Sequence, residues 1–270
     1  MNAKPGTMYS HSSSGEPVIA YDAGNSYSLD QEGHVLISYR NGDVTAQAPL
    51  TLDTTGSVQG MGRADTGFYI AEEKTAIVYG FANGQSSQLH VLISEDMGKT
   101  WTDTPIPGSA GYDTKFIGFT NKAEGWIVSG GSAGAGRSLN HVYQTSDGGK
   151  TWRELGNPND QYTEQLTGAG FSSGDIGFLG YRYYADKGPT VYWTQDGGKS
   201  WEKLVISLSD SWDAYQKTPL SPVFNGKDGR LPILLSLDGE VAGTVYLTSK
   251  DYGLTWNDEE GRILSEGHYR

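Results

Sequence analysis

The sequence has no cysteine, few positive charges and no long hydrophobic run. The absence of cysteine excludes disulfides and thiolate metal ligands. The 20 Lys and Arg residues are outnumbered by 32 Asp and Glu, which gives a formal net charge of −12. This balance argues against duplex nucleic acid and anionic membrane surfaces as partners. The longest apolar stretch, residues 231–237, contains Pro and Ser and is too short for a transmembrane segment.

The first residues give an expectation about the compartment. Residues 1–15 contain several Ser and Gly and have no apolar core of the kind that a signal peptide needs. We expect this segment to be the flexible N-terminal tether of a secreted or envelope-anchored protein whose leader has been removed. The protein is then extracytoplasmic, and a cytoplasmic location is the alternative.

Glycine and aromatic residues are abundant instead. The chain has 38 Gly, 17 Tyr and 7 Trp among 270 residues, and its share of Gly is roughly twice the usual one. The glycines do not follow the period of collagen, which excludes a triple helix. This composition is typical of short strands joined by tight turns.

An eight-residue segment occurs four times along the chain. The copies align without gaps, and we call them the box segments: Ser94–Trp101, Thr145–Trp152, Thr194–Trp201 and Ser249–Trp256. Their Asp residues are 51, 49 and 55 positions apart. A decayed fifth copy around residues 38–44 has Arg40 in place of the Asp. Short alternating apolar runs precede each copy, so that each repeat supplies four strands.

Four-stranded repeats at this period predict a β-propeller. We expect an all-β fold of four-stranded antiparallel blades, with five blades and with six as the alternative. One propeller domain is expected to cover residues 16–260, after a flexible segment over residues 1–15. Residues 261–270 form a C-terminal tail that is placed to add a closing strand to the first or the last sheet.

The box residues are expected to build a hairpin turn. Asp accepts hydrogen bonds from turn amides, Gly adopts positive φ, and Trp fills the space between neighbouring sheets. Four equivalent copies favour this structural role over Ca²⁺ binding or acid–base catalysis, which needs one asymmetric site. The predicted structural residues are Asp96, Gly98, Trp101, Asp147, Gly149, Trp152, Asp196, Gly198, Trp201, Asp251, Gly253 and Trp256.

The box segments, Ser/Thr-x-Asp-x-Gly-x-Thr/Ser-Trp, resemble the Asp-box or bacterial neuraminidase repeat. This motif is found in sialidases and other glycosidases, in sortilin-type receptor domains and in propellers similar to the photosystem II assembly factor. Together with the Gly–aromatic strands, the DGGKTW form looks most like the last group. The resemblance implies a propeller that binds its ligands on the face opposite the box turns, which we call the loop face. It implies no particular activity.

Two groups of residues on the expected loop face are candidates for ligand binding. Arg63, Arg137 and Arg182 come from three successive repeats, and converging guanidinium groups would hold a carboxylate or a phosphate. Sialidases hold their substrate carboxylate with an arginine triad, so the resemblance implies the same use here. Dispersed surface arginines are the alternative.

The second group combines aromatic and acidic side chains, which suit the stacking of sugar rings and the recognition of their hydroxyls. Its members are Tyr183, Tyr184, Asp210, Trp212, Asp213 and Tyr215, with Tyr181 and Asp186 beside them. Packing between sheets is the alternative for the rings. Asp210 and Asp213 would also suit the carboxylate pair of a glycosidase. The Gly-rich stretch 130–136 is expected to be a flexible loop on the same face.

These patterns predict a non-catalytic binding or assembly propeller of the bacterial cell envelope, which engages a protein or a glycan through its loop face. A sialidase-like glycoside hydrolase is the alternative, and no catalytic residue is assigned. We expect a monomer without a cofactor. The five His residues lack the spacing of metal ligands, so no metal site is expected.

Overall fold

A computed structural model of the chain describes residues 19–21, 24–51, 67–80, 88–109, 114–134, 137–182, 187–258 and 263–266. These residues form β-strands and three short 3-10 turns, at Arg40–Gly42, Pro158–Asp160 and Asp210–Trp212. In these ranges there is no helix with the length and the apolar character needed to cross a bilayer. The predicted all-β class with four-stranded antiparallel sheets is confirmed.

The first four sheets follow one another along the chain, and each consists of four strands hydrogen-bonded in sequence order. The first contains β1 (Ile19–Tyr21), β2 (Asn25–Leu29), β3 (His34–Tyr39) and β4 (Val44–Thr51). The second contains β5 (Phe68–Ala71), β6 (Lys74–Tyr79), β7 (His90–Ser94) and β8 (Thr102–Pro105). The third contains β9 (Thr114–Phe119), β10 (Gly125–Gly134), β11 (Arg137–Thr145) and β12 (Arg153–Glu154). The fourth contains β13 (Gln165–Phe171), β14 (Gly177–Arg182), β15 (Thr190–Thr194) and β16 (Glu202–Leu204).

The fifth sheet has six strands among the described residues: β17 (Gln216–Pro219), β18 (Val223–Asn225), β19 (Asp228–Leu237), β20 (Glu240–Ser249), β21 (Thr255–Asn257) and β22 (Ile263–Glu266). Both β17 and β18 pair with β19, so the first strand of this repeat is interrupted at residues 220–222. The last strand, β22, pairs with β21 at the outer edge of the sheet.

The expectation of a flexible loop over residues 130–136 is wrong for residues 130–134. These residues extend β10, and β11 begins at Arg137. Strand pairing uses backbone groups that every glycine has, so a Gly-rich sequence is able to continue a hairpin. The blade number, the closure of a ring and the domain limits stay predictions.

The chain divides into two compact units, and the strands of the third sheet are shared between them. One unit comprises residues 1–129 and 144–153, and the other comprises residues 130–143 and 154–270. The core of the first unit is built by alternation along its strands, as in β3, where Val35, Ile37 and Tyr39 are buried and Leu36 is exposed.

In the second unit, sheets approach each other closely at small residues. Gly168 of β13 lies against the backbone of Leu220, where an added Cβ would have no room. Beside it the hydroxyl of Thr167 donates to the carbonyl of Pro219 at 2.6 Å. This contact fixes the fourth sheet against the start of the fifth, from which the candidate site described below emerges.

Candidate ligand-binding surface

The four box segments form the turns between the third and fourth strands of the second to fifth sheets. In the first copy, the hydroxyl of Ser94 donates to Asp96 Oδ1 at 2.9 Å and accepts from the amide of Gly98 at 2.8 Å. Thr100 donates its amide to Asp96 Oδ1 at 2.9 Å and its hydroxyl to Oδ2 at 2.7 Å. The other three copies repeat these four bonds.

These bonds hold the box carboxylates in the ionised state. The hydroxyl and amide of Thr100 lower the pKa of Asp96 to about 2, and Thr151 in the same way lowers the pKa of Asp147. For Asp196, burial raises the pKa, but the bonds from its turn lower it by more; the same holds for Asp251. Because both oxygens of each carboxylate already accept bonds from their own turn, we keep the structural interpretation of these residues.

The box tryptophans differ in one respect. In the first three copies the indole N–H donates to the carbonyl of the box glycine, from Trp101 to Gly98 at 3.0 Å and at 3.1 Å in the next two. Trp256 of the fourth copy is fully buried, and its ring packs against Phe178 and Phe224. Its indole N–H makes no hydrogen bond to the described part of the chain.

The arginine hypothesis stays a prediction. Arg63 lies outside the described residues, and Arg137 is described only as the first residue of β11. Arg182 ends β14 and is exposed.

Among the tyrosines in the second candidate group and beside it, the structure describes Tyr181 and Tyr215. Tyr183 and Tyr184 lie outside the described residues, as does Asp186. Tyr181 is buried in β14, where its ring packs at 4.9 Å from Tyr162. Burial raises its pKa far above the usual tyrosine value. We therefore assign Tyr181 to packing.

The connection between β16 and β17 carries the other members of that group. Ser209 caps the 3-10 turn Asp210–Trp212, and its carbonyl accepts from the amide of Trp212 at 2.9 Å. The next turn follows at once, because the carbonyl of Trp212 accepts from the amide of Tyr215 at 3.0 Å. The two rings meet edge to face at 5.7 Å, and both pack half-buried on a core formed by residues of the fourth and fifth sheets. The turns thus bring together a partly exposed aromatic pair.

A buried lysine that sequence reasoning missed lies next to this aromatic pair. Lys217 follows two residues after Tyr215, at the start of β17, and only 5% of it is exposed. Its Nζ donates to the carbonyl of Tyr215 at 3.0 Å. Burial lowers its pKa, the carboxylate of Asp213 raises it, and the ammonium of Lys187 lowers it further, so that the pKa lies below the usual lysine value. In the sequence, this lysine stands out only as a charged residue directly before Thr218 and Pro219, which end the strand.

Two exposed charges lie at the edge of the same site. Asp213 is half-exposed, and its Oδ2 lies 3.8 Å from the Nζ of Lys187, a side chain that is 91% exposed. We call Lys187, Trp212, Asp213, Tyr215 and Lys217 the lysine–aromatic surface. Asp210 lies in the turn that precedes it and is exposed. The arrangement combines two partly exposed rings, one acceptor carboxylate and two ammonium groups.

The three histidines that the structure describes each lie next to a carboxylate of their own sheet. His34 Nδ1 lies 2.7 Å from Asp30, His90 Nδ1 lies 3.2 Å from Asp103, and His141 Nδ1 lies 2.6 Å from Glu154. The described ranges contain no group of three or more His, Cys, Asp or Glu placed to hold a metal ion.

Neither the family models nor the curated proteins match the sequence. The similar solved structures are β-propellers. A GH74 enzyme from Niastella koreensis is 15% identical over 89% of this chain and 35% of its own, with a TM-score of 0.50. YCF48 from Cyanidioschyzon merolae is 14% identical over 86% of this chain and 66% of its own, with a TM-score of 0.48. The Hadza microbial sialidase Hz136 is 14% identical over 86% and 57%, also with a TM-score of 0.48. This chain thus spans 35% of the length of the GH74 enzyme, and the likeness to that enzyme supports a β-propeller fold and carries no activity.

Proposed function

We propose that this chain is a binding propeller of the bacterial cell envelope that holds a glycan or a protein through its loop face. The five sheets are then its blades, and the box turns are scaffold. The site we assign is the lysine–aromatic surface. The observation that carries this assignment is the half-exposed pair of Trp212 and Tyr215, locked by consecutive turns beside the buried Lys217.

The physical reason is preorganisation. Trp and Tyr rings bury a large area when a ligand covers them, and each loses little side-chain entropy because its position is already fixed. The acceptor carboxylate of Asp213 next to the rings is suited to the hydroxyl groups of a sugar or the amides of a peptide. Sites that combine apolar faces with a few polar groups are typical of ligand binding.

The test is a glycan array and an affinity capture with the full chain, followed by the double variant Trp212→Ala with Tyr215→Ala. We expect this variant to lose binding of whatever ligand the wild type retains. Tyr252→Ala removes an exposed ring from a box turn and is the matched control, which should bind normally. Equal binding by the double variant would remove this surface from the proposal.

Glycoside hydrolysis is measured in parallel with fluorogenic glycosides. Turnover by the wild type that is lost in Asp213→Asn would replace the binding proposal by a hydrolase. The absence of turnover, together with loss of binding in the double variant, supports the binding function.

A further inference from the structure

Lys74 and Lys217, two of the three buried lysines among the described residues, differ in how their ammonium groups are satisfied. Lys74 of β6 donates to the carbonyls of Lys122 at 2.9 Å and Gly148 at 2.8 Å, and its Nζ lies 3.1 Å from Glu95 Oε1. The same ammonium lies 4.4 Å above the ring of Phe119. Lys74 thus has an acceptor for each of its three donors, which is typical of a structural lysine.

Lys217 has one such acceptor in the described part of the chain, the carbonyl of Tyr215. The nearby carboxylate of Asp213 is placed against Lys187. Burying an ammonium whose donors are not all satisfied makes the free energy of folding less favourable. A ligand that supplies the missing acceptors would therefore bind favourably to such a group.

We propose that Lys217 is the floor of a carboxylate-binding subsite and that the ligand of the lysine–aromatic surface is an acidic sugar of the uronic acid class. This inference rests on the proposed function and names the chemistry of its ligand. The sugar carboxylate accepts hydrogen bonds from the ammonium groups of Lys217 and Lys187. Its ring lies against Trp212 and Tyr215, and its hydroxyls donate to Asp213.

Charge favours an acidic ligand at this place although the chain as a whole carries −12. Among the described residues, the charged groups that act on Lys217 are Asp213 and Lys187, which together with Lys217 itself make two cations and one anion. Ammonium–carboxylate hydrogen bonds are about twice as strong as neutral ones, and more so away from water. Two ammonium groups beside one carboxylate therefore favour a ligand that brings a single carboxylate.

A sugar fits the surface better than an acidic peptide does. A uronate carries one carboxylate and several hydroxyls on each ring, and Asp213 accepts from those hydroxyls. A run of Glu or Asp residues would bring further carboxylates toward Asp213, and like charges repel at contact distance. The two half-exposed rings suit the flat C–H face of a pyranose.

The experiment compares three probes by calorimetric titration: tetragalacturonate, its methyl ester and a hexaglutamate peptide. The ester keeps the hydroxyls and the ring faces but lacks the charge. We expect the wild type to bind tetragalacturonate about tenfold or more tightly than the ester, since a charge-assisted hydrogen bond is lost. Equal binding of the ester, tighter binding of the peptide, or no binding of tetragalacturonate at millimolar concentration would overturn the inference.

The variants assign the effect to the site. Lys217→Met should weaken tetragalacturonate binding by about tenfold or more and leave binding of the ester unchanged. Lys199→Met, on an exposed box lysine, is the matched control and should bind normally. Because the side chain of Lys187 is exposed, Lys187→Met should leave the fold intact. It should weaken the binding of tetragalacturonate by about threefold.

Failure of this inference is distinguishable from failure of the proposed function. If Lys217→Met binds tetragalacturonate like the wild type, the carboxylate subsite is refuted. If the double variant of Trp212 and Tyr215 still loses the ligand found by the array, the binding surface stands with a different ligand class.

Discussion

Replacing Lys74 and Lys217 by methionine, one at a time, separates a structural lysine from a lysine kept for binding. Methionine has nearly the same length and carries no charge, so each variant removes the ammonium and leaves most of the packing. For Lys74→Met, the carbonyls of Lys122 and Gly148 lose their donor. An unsatisfied buried acceptor costs about 1–3 kcal/mol, and the contact with the exposed Glu95 adds under about 1 kcal/mol.

We therefore expect Lys74→Met to lower the free energy of unfolding by about 2–4 kcal/mol, because water reaches part of the freed carbonyls. The corresponding fall in Tm is about 5–15 °C for a domain of this size. In Lys217→Met only the bond to the carbonyl of Tyr215 is lost. The removal of a buried charge offsets that loss, so the free energy of unfolding should stay within about 1 kcal/mol of the wild type or rise.

The pH dependence of stability tests the role of Lys217 independently. Because burial lowers the pKa of Lys217, the unfolded chain holds a proton there at pH values where the folded chain has lost it. Stability then rises with pH up to the pKa of an unfolded lysine, near 10.4. Lys217→Met lacks this gain, so its stability relative to the wild type should fall as the pH is raised toward about 10.

The assay is urea unfolding followed by circular dichroism at neutral and alkaline pH, with the slope m checked against the wild type. A changed m would mean that the variant altered the unfolded state or the cooperativity between the two compact units. The reasoning is refuted if Lys217→Met is destabilised as much as Lys74→Met. That result would make both lysines structural.

Three further predictions concern the scaffold. Lowering the pH from about 4 to about 2 should lower Tm, because the pKa of Asp96 is about 2 in the folded chain and near 4 in the unfolded chain. Asp96→Asn should flatten this dependence of Tm on pH, and an unchanged acid profile in the variant would contradict the prediction. Trp201→Phe should be less stable than Trp256→Phe by about 1 kcal/mol in urea unfolding, since only the former breaks an indole hydrogen bond; the reverse order would show that Trp256 has a donor role. Gly168→Ala should lower the free energy of unfolding by about 1–3 kcal/mol, because a Cβ at this position would meet the backbone of Leu220. Gly239→Ala should lower it by about 1 kcal/mol, because this position has open space around it and only a positive φ of 87°. Equal losses would mean that the close approach at Gly168 relaxes.

Much of the scaffold follows from local chemistry and is therefore predictable from the sequence. The box turns join the third and fourth strands of their sheets as expected, since Asp96, Gly98 and Thr100 act within one turn. The extended hairpin at residues 130–134 was missed because a glycine run has no side-chain pattern that favours a strand over a loop.

The site was predictable only in part. Trp212 and Tyr215 stand out in the sequence as aromatic residues left over by the repeat, and they do lie together. Tyr181 has the same appearance in the sequence but is buried, because the partners that cover it come from other segments. Lys217 is likewise buried although no local pattern in the sequence indicates it.

The internal hydrogen bonds of the box turns have a consequence for folding kinetics. Every one of these bonds joins residues at most four positions apart, as in the bond from Thr100 to Asp96. Closing so short a loop has a small entropic cost, and hairpins form in about 1–10 μs. The contact from Lys74 to the carbonyl of Gly148, by comparison, spans 74 positions. We therefore expect the turns of the four boxes to form early in folding and the contacts between sheets to form late.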